Sequence, residues 1–196
     1  ELYKKIIGSH GDIFEFGTRW GRNISLFITL RGIFEPYNHT RKVVAFDTFS
    51  GFNKIQNEDG DHESLKIGAF SVSDNYFNYF SQLLEIKEKE LPINHIKKFH
   101  IMKGDVSKTT SSYISEHPQT IIALACFDLD LYRPTKDALR EILPRMTKGG
   151  IIMFDELNHS AYPGETKAFL EILNNEVKFK LTRSPYSGSK SYVVIE

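Results

Sequence analysis

The sequence predicts an α/β domain: a mostly parallel sheet with helices on both faces and an antiparallel hairpin at its end. Three observations carry this. Short apolar runs alternate with stretches whose apolar residues fall at helical spacing. Each of those runs closes in an acid or a glycine. The last two runs, "KFKLTR" and "SYVVIE", are separated only by the turn-rich "SPYSGSK", a hairpin signature.

Taken in order, "GDIFEFG" (Gly11 to Gly17) is a short buried strand closed by glycine. "NISLFITLRG" follows, with Ile24, Phe27, Ile28 and Arg31 on one helical face, Asn23 as N-cap and Gly32 as stop. Further strands are expected at "KVVAFD" (Lys42 to Asp47), "FHIMKGD" (Phe99 to Asp105), "TIIALACFD" (Thr120 to Asp128) and "GIIMFDE" (Gly150 to Glu156). Leu139, Ile142, Leu143 and Met146 make a helical stripe before the last of these, cut short by Pro144. Residues 53–98 depart from the rhythm, with polar "NKIQNEDGDHES", aromatic "GAFSVSDNYFNYF" and a charged helix, "SQLLEIKEKE". Such an insertion is expected to be a lid or substrate-binding element inside a single domain spanning 1–196.

Composition limits the function. The chain carries 25 basic and 25 acidic residues, so no nucleic-acid partner is expected. Cys126 is the only cysteine, which excludes an internal disulfide and a thiolate zinc cluster; in its apolar run it reads as a small core residue. No apolar stretch approaches the roughly twenty residues of a membrane span and no signal peptide opens the chain. A cytoplasmic protein without a membrane partner is the expectation. The opening "ELYKKIIGSH" leads almost directly into a strand, which points to an upstream extension in the natural protein.

In an open parallel sheet, ligands bind outside the carboxyl ends of the strands. The residues there are Glu15 and Gly17, Asp47, Gly104 and Asp105, Asp128 and Asp130, and Asp155 and Glu156. Carboxylates placed near the interior need partners, so their convergence on one rim asks for a ligand. In "EFGTRWGRN", glycines at 17 and 21 permit a tight strand-to-helix turn and close approach to the backbone; Arg19 stands where a dinucleotide fingerprint needs its middle glycine. Asp47, after the second strand, lies where α/β cofactor sites hold ribose hydroxyls, although "DTFSGF" would equally use an acid as turn former.

Four segments together, "IFEFGTRWGRNISLF", "VVAFDTFSGF", "FDLDLYRPTKDALREILPRMTKGGIIMFDE" and "PGETKAF", resemble the macrocin O-methyltransferase (TylF-type) family. Its members are class I S-adenosylmethionine-dependent enzymes that methylate sugar hydroxyls with a divalent metal, usually magnesium. The resemblance implies a Rossmann-like, seven-stranded sheet with a reversed final strand, in keeping with the C-terminal hairpin. It implies cofactor contacts at Glu15, Gly17, Thr18, Gly21, Asp47, Thr48, Gly104, Asp105 and Asp128. Asp128, Asp155 and Glu156 match the metal ligands, and Asp128 would also be the general base. Family members usually carry aspartate where this chain has Glu156, and the N-terminal helices that often cover the acceptor are not in this sequence. A sugar-containing small molecule is the implied partner, and a homo-oligomer is compatible with it.

The metal reading also follows from chemistry. Magnesium takes hard oxygen ligands, and acids ending neighbouring strands about 4.8 Å apart can share one ion. Coordination lowers the pKa of a sugar hydroxyl while a carboxylate takes its proton. His159, in "DELNHSAYPGET", is an alternative base or substrate contact; Asp130 reads as a loop brace, and Glu165 as a helix-opening acid. Two other functions fit part of the pattern. "DLD" matches the D-x-D by which glycosyltransferases bind nucleotide sugars through a metal, but the glycine loop and Asp47 would then be idle. A catalytically silent cofactor-binding module would use the cofactor residues alone.

Overall fold

A computed structural model describes the backbone of residues 1–196 and every side chain except those at 175 and 176. The parallel strands are β1 (Asp12–Phe16), β2 (Val43–Asp47), β3 (Phe99–Lys103), β4 (Ile122–Phe127) and β5 (Met146–Phe154). The hairpin strands are β6 (Phe179–Arg183) and β7 (Ser191–Ile195). They form one seven-stranded sheet in the order β3-β2-β1-β4-β5-β7-β6, with β7 antiparallel to both β5 and β6. The chain winds outward from β1 to β3, then returns to place β4 on the other side of β1. That reversal opens a crevice at the carboxyl ends of β1 and β4.

The pleat explains the core. Phe14, Phe16, Val44, Phe46, Phe127 and Phe154 face α4 (Val106–Glu116), α5 (Tyr132–Ile142) and α6 (Pro163–Glu176). Ile13, Val43, Ala45, Leu124 and Cys126 face the other layer, made by α1 (Leu2–Ile6), α2 (Arg22–Phe34) and α3 (Tyr76–Lys89). Alternate side chains thus serve opposite helix layers, as strands covered on both faces require. Cys126 is buried, as a small core residue should be. Pro144 ends α5, which continues only as a 3₁₀ turn over Leu143–Arg145. Among the described residues no helix is long and apolar enough to cross a membrane.

Four boundaries differ from the sequence expectation. The helix after β1, α2, starts at Arg22 with Gly21 as N-cap in the left-handed region (φ 69°), so Asn23 lies inside it. Gly32 does not stop that helix; a Cβ there would lie 2.3 Å from Leu91 Cδ2, so the glycine permits close packing instead. The helix in 53–98 begins at Tyr76 and takes in the aromatic run, because Tyr76, Phe80 and Leu84 share a face at i, i+4 spacing and Phe80 and Leu84 are fully buried. Finally, β5 starts at Met146 rather than Gly150, through a register irregularity against β4.

Between β2 and α3 the chain runs over the carboxyl rim. Its anchor is Asp59, only 1% exposed, whose Oδ1 accepts from Tyr132 N–H (2.6 Å) at the start of α5. The other oxygen accepts from Gln56 N–H (2.7 Å). Close packing completes the joint: a Cβ on Gly164 would lie 2.5 Å from Tyr132 N and 2.7 Å from Asp59 Oδ1. One carboxylate therefore ties this loop to two helices.

Candidate active site

A cavity of about 450 Å³ lies at the strand-order reversal. Of the residues expected at the site, it takes in Gly17, Asp47, Thr48, Asp105, Asp128, Asp155 and Glu156. Asp130 and Arg19 also line it, and the loop after β2 contributes Phe52, Asn53, Lys54, Gln56 and Phe70. Its mouth is therefore built partly from residues 53–98.

The end of β1 is held tightly to that of β4. Asp128 N–H donates to Phe16 O (2.9 Å), and a Cβ on Gly17 would lie 1.8 Å from Asp128 O. With φ at 85°, Gly17 is a position that only glycine fills. Asp47 braces the two flanking loops: Oδ2 accepts from Arg19 N–H (2.7 Å) and Oδ1 from Phe49 N–H (2.6 Å). Asp105 caps α4, its Oδ1 accepting from Ser107 N–H (3.0 Å), while its side chain still faces the cavity. Asp47 and Asp105 thus both brace local backbone and line the cavity.

Other expected residues lie behind this surface. Glu15 shares its strand face with Ile13, so the pleat turns it toward α2, where it is 2% exposed and Oε2 accepts from Ile24 N–H (2.9 Å). The carboxylate thus takes over the capping that Asn23 was expected to provide. Thr18 is buried, its hydroxyl 3.4 Å from Glu15 O. Gly21 is confined by Phe80, and Gly104 adopts a φ of 142°. His159 stands at the rim, 45% exposed, with Nδ1 3.6 Å from Glu156 Oε2.

Burial pushes Glu15 up to about 8, with the charges of Asp128 and Asp47 adding to the shift. An acid raised above its unfolded value contributes stability fully below about 4.5, which is lost as pH rises through about 8. Glu15→Gln keeps an acceptor for Ile24 N–H without the charge. Its stability relative to the parent is expected to improve steadily between about pH 5 and 8.5 in urea melts. Parallel stability curves for the two proteins would show that Glu15 does not titrate in this way.

Five carboxyl groups converge where β4 and β5 end. Asp128 is raised to about 6, by burial first and then by the charge of Asp155. Asp130 is raised to about 7, by burial first and then by Asp128; its backbone is left-handed (φ 61°). Asp130 lines the cavity, and among the described residues none donates a hydrogen bond to its side chain. Glu165, fully buried, is driven well above the ordinary carboxylate range and accepts from Glu156 N–H (3.0 Å). Glu156 Oε2 is buried with no hydrogen-bond partner.

Lys190 also reaches this cluster, with Nζ 2.5 Å from Asp155 Oδ1. Motif reading missed it because it sits in a turn far away in sequence. The pairing of Phe154 with Ser191 places residue 190 beside Asp155, so strand order would have revealed it. Asp59, 73 residues from its partner Tyr132, was equally hidden.

The sequence profile of the macrocin O-methyltransferase family (TylF) matches residues 5–177. Among solved structures, the calicheamicin methyltransferase CalS11 superposes with a TM-score of 0.93 at 38% identity, over 98% of this chain and 75% of that one. Its apo form, described as a TDP-rhamnose 3'-O-methyltransferase, gives 0.82 at 36% identity over the same shares. The O-methyltransferase NovP gives 0.65 at 17% identity, over 98% and 76% of the two chains, and shares the fold. No curated protein matches the chain.

Proposed function

The chain belongs to the macrocin O-methyltransferase family, and from that premise we propose that it moves a methyl group from S-adenosylmethionine to a hydroxyl of a sugar or glycosylated small molecule, aided by a divalent cation. The observation that carries this reading is the single cavity lined by both Asp47 and Asp128. The first residue suits the ribose of a nucleoside cofactor and the second the proton of an acceptor hydroxyl. Bound S-adenosylmethionine supplies an electrophilic methyl group on a sulfonium.

Asp128 is the base in this reading. Its raised pKa makes it a stronger proton acceptor than an exposed aspartate, yet leaves it ionised at neutral pH. The loop carrying Phe52 and Phe70 walls the cavity and limits water beside the acceptor. The residues that would hold magnesium are Asp128, Asp155 and Glu156. They fit in kind: all offer hard oxygens, burial and then the neighbouring charges raise Asp128 and Glu156, and Glu156 Oε2 accepts no hydrogen bond. A bound cation would acidify and orient the acceptor hydroxyl. In arrangement they are not yet a closed site, since among the described residues no three metal-ligating side chains meet at one point.

Calorimetric titration with S-adenosylhomocysteine, in magnesium and then in chelator, is the test. Micromolar binding in both conditions is expected, followed by magnesium-stimulated turnover on a sugar-bearing acceptor. Binding with no turnover on any glycoside or nucleotide sugar would favour a silent cofactor-binding module. Absence of binding by folded protein would sink the proposal.

A further inference from the structure

We propose that Lys190 is a built-in counter-cation at Asp155, and that its charge opposes the binding of a divalent ion at the acid rim. The inference rests on the reading of Asp128, Asp155 and Glu156 as metal ligands, and concerns what stands in the ion's way. Lys190 Nζ lies 2.5 Å from Asp155 Oδ1, so its positive charge stands beside an oxygen that a divalent ion would use. The ammonium is delivered by topology. Because β7 runs antiparallel beside β5, the residue before Ser191 is carried past Phe154 to the end of β5.

The attachment is strong in charge and weak in packing. Asp155 keeps 16% of its side-chain surface exposed and Lys190 keeps 35%, so the pair sits at the edge of the cluster. The turn carrying Lys190 is held by Ser184 N–H to Lys190 O (2.9 Å) and by Lys190 N–H to Ser187 Oγ (3.4 Å). Tyr186 beside them is 82% exposed, and nothing lies within 4 Å of a Cβ at Gly188. The lysine can therefore swing away without disturbing the core. The other cations facing the cluster are Arg19, along the cavity wall, and His159, which faces Glu156.

Physical chemistry sets the contest. An ammonium offsets one carboxylate charge, whereas a divalent cation bridges two or three carboxylates at once. The ion wins when its concentration is high or when acceptor oxygens complete its shell. Without it, Lys190 keeps Asp155 paired and the rim less repulsive. Lys190 is thus a residue that sets the metal requirement, not a metal ligand.

Manganese binding to the full chain, followed by loss of the free-ion electron paramagnetic resonance signal, tests this without turnover. Lys190→Met is expected to bind manganese about tenfold more tightly than the parent. Lys190→Arg, which keeps the charge, should stay within about threefold of the parent, and Asp155→Asn should bind far more weakly. S-adenosylhomocysteine affinity reports that each variant is folded, and Lys190→Gln replaces the methionine variant if that one is not. Unchanged or weaker binding in Lys190→Met, with Asp155→Asn still weakened, overturns the role of Lys190 and leaves the metal reading standing. No binding by any of these proteins overturns both.

Discussion

Asp128→Asn is expected to lower turnover by about 10³-fold or more while leaving S-adenosylhomocysteine affinity within a few-fold of the parent. The backbone here is fixed independently of the side chain, by the bond from Asp128 N–H to Phe16 O and by the tight seat of its carbonyl against Gly17. Asparagine therefore occupies nearly the same volume on an unmoved strand. What it loses is proton affinity and negative charge. Burial and the neighbouring Asp155 charge raise the parent carboxyl to about 6, so on the proposed mechanism its removal deletes a base tuned toward neutrality. General bases contribute about 10²–10⁴-fold, and on the proposed mechanism the loss of one carboxylate from the cation site would deepen the effect. The measurement is kcat/KM on an accepted glycoside together with calorimetric cofactor affinity. Near-parental turnover would move the base elsewhere, with Asp130 the first alternative, since its carboxyl is raised to about 7 in the same cavity. A loss of cofactor affinity equal to the loss of turnover would mean that Asp128 serves binding and not proton transfer.

The acid rim was legible because it is local in sequence. An apolar strand running straight into Asp47, Asp128 or Asp155 announces a carboxylate at a strand end, and parallel topology collects such ends on one rim. The strand order was not legible, since apolar runs do not say which strand is whose neighbour; family resemblance implied only a seven-stranded sheet with a reversed final strand. Glu15 shows where strand-end reasoning stops. The period-2 pleat that puts Ile13 toward α2 must put Glu15 there as well, behind the cavity wall and not inside it. Lys190 and Asp59 were invisible for another reason: each acts on residues brought close by the fold alone, across the β5–β7 pairing and across the joint to α5. The aromatic run was left outside the expected helix, although its i, i+4 pair, Tyr76 and Phe80, belongs to α3.

Asp47→Ala is expected to weaken S-adenosylhomocysteine binding by about 10²-fold or more, the largest loss of affinity from any single truncation at the rim. Two effects reinforce one another. The carboxylate faces the cavity where ribose hydroxyls would donate to it, and each hydrogen bond to a charged acceptor is worth about 1.5–3 kcal/mol. It also accepts from Arg19 N–H and Phe49 N–H, and both of those residues hold left-handed backbones, with φ 46° and 57°. Such conformations cost about 1–3 kcal/mol each and persist only while something holds them. Alanine would release both loops, so the cofactor would have to reorder them on binding. Magnesium is expected to restore nothing, because Asp47 lies at the β2 end, apart from the acids of β4 and β5. Asp47→Asn separates the two effects, since its amide oxygen can still accept from one loop while its amide nitrogen must face a second donor. An intermediate loss for asparagine would assign part of the affinity to loop bracing. Equal losses for both variants would assign it to charge at the ribose, and parental affinity in Asp47→Ala would remove this residue from the cofactor site.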